Sequence, residues 1–255
     1  NDVRYAQLQH HDWTPLHPNN EETWRGVGMG VAMALACKED LAGVDYVSLG
    51  MTEELKADHQ MQLQTLVAYF YLRGLDFYGG MPIYRRSTTE ESPRSTARET
   101  FNYVEELLLA AIPKLEKKTA DMLEEGYLRQ GTAAALLAQL YFNAEVYTGT
   151  PDWENARAYA NKVIQSGAYE LCNDYRLMFM ADNDQNPDAM KEIIFPIRQD
   201  GMKTRNYGGA TYLICGTRTG GMPHMGTTNG WSCLVARKAL IDKFFPEGNV
   251  PMIPE

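Results

Sequence analysis

Apolar residues recur along this chain mainly at helical spacing. The clearest stretch is Val104, Leu107, Leu108, Ala111, Ile112 and Leu115, at i, i+3, i+4, i+7, i+8 and i+11, which is one face of an α-helix. Pro113 falls inside that stripe. A proline lacks the N–H and clashes with the preceding turn, so the helix must kink or end near Ile112. Upstream, Thr52 followed by Glu53 and Glu54 supplies a capping hydroxyl and two acids for the positive end of a helix. That helix is predicted through Leu75, carries Leu63, Leu66, Val67, Phe70 and Tyr71, and stops before Gly79-Gly80 and Pro82. Another, from about Trp24 to Leu41, is expected to bury Met29, Ala32, Met33 and Ala36. A further helix is predicted from about Thr132 to Tyr147, with Ala134, Leu137, Leu140, Tyr141 and Ala144 inward. Asp152 caps the next, Trp153 to Gln165, which ends at Ser166-Gly167, where glycine accepts a left-handed conformation.

The remainder lacks this period. The first 25 residues are polar and aromatic, and His17-Pro18-Asn19-Asn20 reads as loop. Ile193 to Ile197 is a short apolar run with a proline, predicted as an edge strand. Eight of the 21 glycines lie between Gly201 and Gly230, among Tyr207, Tyr212 and His224 and just before Trp231, so this stretch is predicted as a long irregular loop. Ala236 to Phe245 is one more short helix. Within the helical part, Ala68-x-x-Tyr71 and Ala138-x-x-Tyr141 stand 70 residues apart, each followed by a second tyrosine (Tyr78, Tyr147) and a glycine. That interval is close to two helical hairpins of about 34 residues. Trp153-x-x-Ala156-x-x-Tyr159-Ala160 shares the small-residue spacing. The fold class is therefore mainly α: a tetratricopeptide-like helical-repeat scaffold with long irregular loops and minor β.

Composition narrows the function. The chain has 24 basic and 33 acidic residues, net −9, which argues against binding to nucleic acid or an anionic membrane surface. No apolar run reaches the length of a membrane span. Asn1 is not preceded by a signal segment, so any leader is expected to have been removed. Cys37, Cys172, Cys215 and Cys233 have no zinc spacing and are expected as buried free thiols, with bridges in an oxidising compartment as the alternative.

Most catalytic and metal signatures fail on inspection. Gly26-Val27-Gly28-Met29-Gly30 follows no strand and lacks a phosphate-binding lysine, and Gly230-Trp231-Ser232 has Leu234 where a nucleophile elbow needs glycine. His10, His11 and His17 share no helix face, so they read as a polar loop. Asp182-x-Asp184-x-Asn186 opens like a calcium loop but breaks at Pro187 and Ile193, so a solvated loop is expected and no cofactor is assigned. No pair of acids is nominated for glycoside hydrolysis. The aromatics remain, 15 Tyr and 4 Trp. Tyr71, Tyr141 and Tyr159 fall on apolar helix faces and are expected in the core. Trp13, Trp24, Tyr207, Tyr212 and Trp231 lie in or beside loops, among hydrogen-bonding side chains such as Asp12, Asn20 and Arg205. A flat ring beside such groups suits a sugar, which has apolar C–H faces and hydroxyl edges.

These segments together resemble the SusD/RagB family. Glu53 to Tyr84, "EELKADHQMQLQTLVAYFYLRGLDFYGGMPIY", is similar to the family's helix running into a Tyr-Gly-x-Pro turn. Glu99–Leu115, the small-residue helix at Gly131–Tyr147, "WENARAYANKVIQSGAYEL" at Trp153–Leu171, Glu192–Ile197 and "LIDKFFPEGN" follow in the family's order. Val67 stands where an arginine is usual, and an asparagine common near the end of the first helix is missing from Met33–Cys37. The resemblance implies one SusD-like domain over residues 1–255, incomplete, with the scaffold at about 24–171 and a loop-rich ligand segment at 172–255. It also implies an outer-membrane, surface-exposed lipoprotein whose lipid anchor lies outside this chain. Such a protein captures a glycan without turnover and passes it to a SusC-type TonB-dependent transporter. The alternatives are a glycan hydrolase and a helical-repeat scaffold for a protein or peptide. The candidate ligand residues are Trp13, Trp24, Trp231, Asp12, Asn20, Arg205, Tyr207 and Tyr212, chosen by residue type and loop position.

Overall fold

The structure, a computed structural model, describes residues 3–120, 122, 126–180, 182–198 and 237–248. The chain divides into two compact units, Asn1–Pro196 and Ile197–Glu255. Among the described residues there are nine α-helices: α1 Val3–His10, α2 Pro18–Ala42, α3 Glu53–Tyr78, α4 Ala97–Ala111, α5 Gln130–Phe142, α6 Ala144–Thr148, α7 Trp153–Gln165, α8 Pro187–Glu192 and, in the second unit, α9 Lys238–Phe244. The isolated bridge Pro82–Arg94 is the β pairing among the described residues.

Local chemistry sets the helix ends. The Thr52 hydroxyl accepts from Leu55 N at 3.1 Å and starts α3. Thr96 and Glu99 form a reciprocal capping box on α4, in which Thr96 N donates to Glu99 Oε2 and Glu99 N donates to the Thr96 hydroxyl. The Asp152 carboxylate caps α7 through Asn155 N, and Gly167 beyond its end has φ +67°. α4 ends at Ala111, with Ile112 as its cap and Pro113 beyond, yet Leu115 still reaches the core.

Each long helix of the first unit packs mainly on its neighbours in sequence: α2 on α3, α3 on α4, α4 on α5, and α5 on α7. This is the nearest-neighbour stacking of helical hairpins. The repeat is visible in its rings. Tyr71 of α3 meets Tyr103 of α4 edge to face at 5.1 Å, and Tyr141 of α5 stacks on Tyr159 of α7 at 5.6 Å. The second tyrosines are equivalent too: Tyr78 donates to Asn20 O of α2, and Tyr147 donates to Asp76 of α3. Val67, Leu72, Leu75, Val104, Leu108, Leu137 and Leu140 fill the interior between them. Tyr71 and Tyr141 are buried as expected, and Tyr159 is half-buried against the same core.

Several expectations are corrected. The N-terminal segment read as loop holds α1 and the start of α2; His17 is the N-cap and Pro18 the first helical residue, where a missing N–H costs nothing. The face of α2 was misjudged: Val27, Val31, Ala34 and Leu35 are buried, while Met29 and Met33 are exposed. The helix predicted from Thr132 to Tyr147 breaks at Asn143, whose amide donates to Gln139 O and competes with the backbone. Ile193–Ile197 forms no strand; Phe195 instead packs its ring on Tyr69 at 6.2 Å. Cys37 is exposed and Cys172 half-buried, against the buried thiols expected; Cys215 and Cys233 lie outside the described residues.

Candidate functional site

The turn after α3 builds a cleft against α2. Gly79, with φ +73°, ends the helix, and Arg94 donates to Tyr78 O and Gly80 O, fixing the turn. Tyr71 then organises the strand-like exit. Its hydroxyl donates to Pro82 O at 3.0 Å and accepts from Tyr84 N at 2.8 Å. Burial pushes the Tyr71 hydroxyl well above the usual phenol range, so it stays protonated for both roles. Tyr103 donates to Tyr84 O, and Glu39 of α2 accepts from Ser87 N, which ties residues 82–88 back to the helices.

The resulting cleft has a volume of about 310 Å³. Trp24, Val31, Leu35 and Met81 give it apolar walls, with Tyr84, Arg86, Ser87 and Thr88 at the polar side. An apolar surface with a few convergent polar groups is the usual make-up of a small-ligand pocket. Arg86 also pairs with Glu90 at 3.3 Å, an exposed bridge that a ligand can exchange for its own contact.

The predicted site residues fall into three groups. Trp24, expected at the start of a helix beside a loop, lines this cleft from within α2, with its ring edge to face on Tyr78 at 5.1 Å. Asn20, also in α2, is occupied by the fold: its carbonyl accepts from Tyr78, and its amide donates to Thr14 O. Trp13 and Asp12 are exposed between α1 and α2, with Trp13 tilted against His11 at 5.5 Å. Arg205, Tyr207, Tyr212 and Trp231 lie outside the described residues. Tyr84, Arg86, Ser87 and Thr88 were not selected from the sequence, although a tyrosine running into Arg-Arg-Ser-Thr-Thr after Pro82 meets the same criterion of a ring beside hydrogen-bonding groups.

Among the described residues no cluster of His, Cys, Asp and Glu is arranged to hold a metal ion. Asn186 of the calcium-like run caps α8 through Asp188 N and Ala189 N, and His17 Nδ1 accepts from Asn19 N. Among the described residues no helix is long and apolar enough to cross a membrane.

A stack of helical hairpins beside an aromatic-walled cleft defines a tetratricopeptide-like helical scaffold. No family model matches the chain. The starch-binding protein SusD of Bacteroides thetaiotaomicron is 46% identical over 211 residues, covering 80% of this chain and 37% of that protein. The chain thus spans a little over a third of the length of this curated relative. A crystal structure of a SusD-like protein from Bacteroides fragilis superposes with a TM-score of 0.62 at 22% identity, over 78% of this chain and 38% of its own. A structure solved with a xylogluco-oligosaccharide gives 0.63 at 20% identity, over 76% and 38%. The chain belongs to the SusD-like family.

Proposed function

We propose that the protein is a glycan-binding component of a nutrient uptake system, which captures an oligosaccharide or polysaccharide without cleaving it. The observation that carries this reading is the 46% identity to a starch-binding protein across 80% of the chain. An α-glucan is therefore the first ligand to test. Binding needs only a preformed surface of rings and hydrogen-bonding groups, and the described residues offer such a surface without a nominated acid, base or nucleophile pair. The proposal extends to the setting the family implies: a lipid-anchored protein on the outer face of an outer membrane. There the helical repeats face a SusC-type TonB-dependent transporter, and residues 172–255 carry the ligand segment.

Ligand contact is assigned chiefly to Arg205, Tyr207, Tyr212 and Trp231, because Asn20 and Trp24 already anchor α2 to α3. Trp13 and Asp12 remain free to contribute from the α1–α2 connection. Trp231→Ala should weaken binding of a maltooligosaccharide by about 2 kcal/mol, roughly thirtyfold in Kd, as expected for a tryptophan anchor. Isothermal titration decides this. Full-strength binding by the variant would remove Trp231 from the site, and release of reducing ends from the polysaccharide would replace binding with hydrolysis.

A further inference from the structure

A second cleft, of about 410 Å³, opens in the first unit where the end of α4, the first turn of α5 and the last turn of α7 meet. Its described lining is basic, in a chain that is acidic as a whole. The whole sequence carries 33 acids against 24 bases, yet the cleft is lined by Lys117, Lys118 and Lys162, and its described lining residues include no Asp or Glu. Lys118 is only 7% exposed, and its ammonium lies 4.8 Å from the centre of the Tyr169 ring. Lys162 holds its ammonium 4.0 Å from the Tyr159 ring, and Lys117 is exposed at the cleft.

Complementing the carbonyl end of α7 accounts for Lys162 on its own. It does not account for two more lysines, from the α4–α5 connection, lining the same concavity. Gln130 and Gly131 in the first turn of α5 form another wall, and the N–H end of a helix adds positive potential there. Exposed Lys117 and the Lys162 ammonium at the rim of a concave surface attract an anionic group. Gln130, Gln165 and Tyr169 place polar groups and a ring beside the lysines, and the volume is that of a small-molecule site.

We propose that this cleft binds a small hydroxylated ligand through an anionic group, a carboxylate or sulfate carried on a sugar. The inference is argued from residues of the first unit alone and does not depend on the assignment of the glycan above. Isothermal titration of the whole chain at low ionic strength, with D-glucuronate, D-glucose and inorganic sulfate as probes, tests it. One glucuronate should bind per chain, at least tenfold more tightly than glucose, and added salt should weaken it. The Lys117→Gln/Lys162→Gln double variant should lose at least tenfold in glucuronate affinity while keeping its helical circular dichroism. Titration of the same chain with a maltooligosaccharide reads the glycan proposal separately, so that failure here and failure of the glycan reading are told apart. Absence of glucuronate binding, or its persistence in the double variant, would overturn the site. Sulfate binding as tightly as glucuronate would overturn the sugar assignment.

Discussion

Gly80 shows how narrowly a single position can be defined. A Cβ there would stand 1.8 Å from Ser95 O, a backbone atom that cannot rotate away. Gly80→Ala should therefore cost about 1–3 kcal/mol, the range for overpacking. Gly26, in α2 with nothing within 4 Å of its would-be Cβ, provides the control: Gly26→Ala should stabilise by about 0.5–1 kcal/mol. Denaturant melts of both variants should move in opposite directions. Asp174 gives a second reading at this scale. Its bond to the Arg176 guanidinium holds its carboxyl at about 2, below an ordinary value of 3.8. A depressed carboxylate contributes stability that is complete above about 3.8 and is lost as pH falls through about 2. In Arg176→Ala the Asp174 titration followed by NMR should return toward 3.8. An unchanged titration would mean that backbone contacts alone hold it down.

Helix ends were largely legible and helix faces less so. Thr52 and Asp152 were readable as caps because a capping side chain acts within three residues of its own position. The Thr96–Glu99 box has the same signature and immediately precedes the stronger apolar stripe of α4. Thr96→Ala removes the box and should cost about 1 kcal/mol in thermal or chemical denaturation, while Thr150→Ala, just outside α7, should cost less than half of that. The buried face of α2 is illegible from the sequence for a different reason. Glycines at 26, 28 and 30 thin the pattern, and both {Met29, Met33} and {Val27, Val31} satisfy i, i+4 spacing. Which pair turns inward is decided by packing on α3, a tertiary contact that a period within α2 does not report. The break at Asn143 and the absence of a strand at Ile193–Ile197 have the same origin. A strand needs a partner edge, and a five-residue apolar run does not say whether one is near.

For the molecule as a whole, the architecture was readable because it is local: each helix packs on the next, so periodicity plus a 70-residue echo of Ala-x-x-Tyr is nearly a description of the fold. The ligand surface was not readable in the same way. Trp24 was selected for its ring and is found bracing α2 on α3, whereas the Tyr84–Thr88 side of the same cleft is assembled through Tyr71, Tyr103 and Glu39 from three helices. Composition can nominate a ring, but only tertiary contacts decide whether it braces or binds. Serial packing also dictates how the first unit should lose structure. In a quasi-one-dimensional stack each helix is stabilised by its neighbours, so damage at the centre is shared and damage at an end is contained. Leu108 of α4 is completely buried and lies between α3 and α5. Leu108→Ala should cost about 2–5 kcal/mol and accelerate amide exchange in α3, α4 and α5 together. Val31→Ala, on the buried face of α2, should cost less and accelerate exchange in α2 and the facing turns of α3, leaving α5 and α7 protected. Hydrogen exchange read by mass spectrometry separates the cases: uniform acceleration across α2–α7 in both variants would mean that the hairpins unfold as one block, not as a stack.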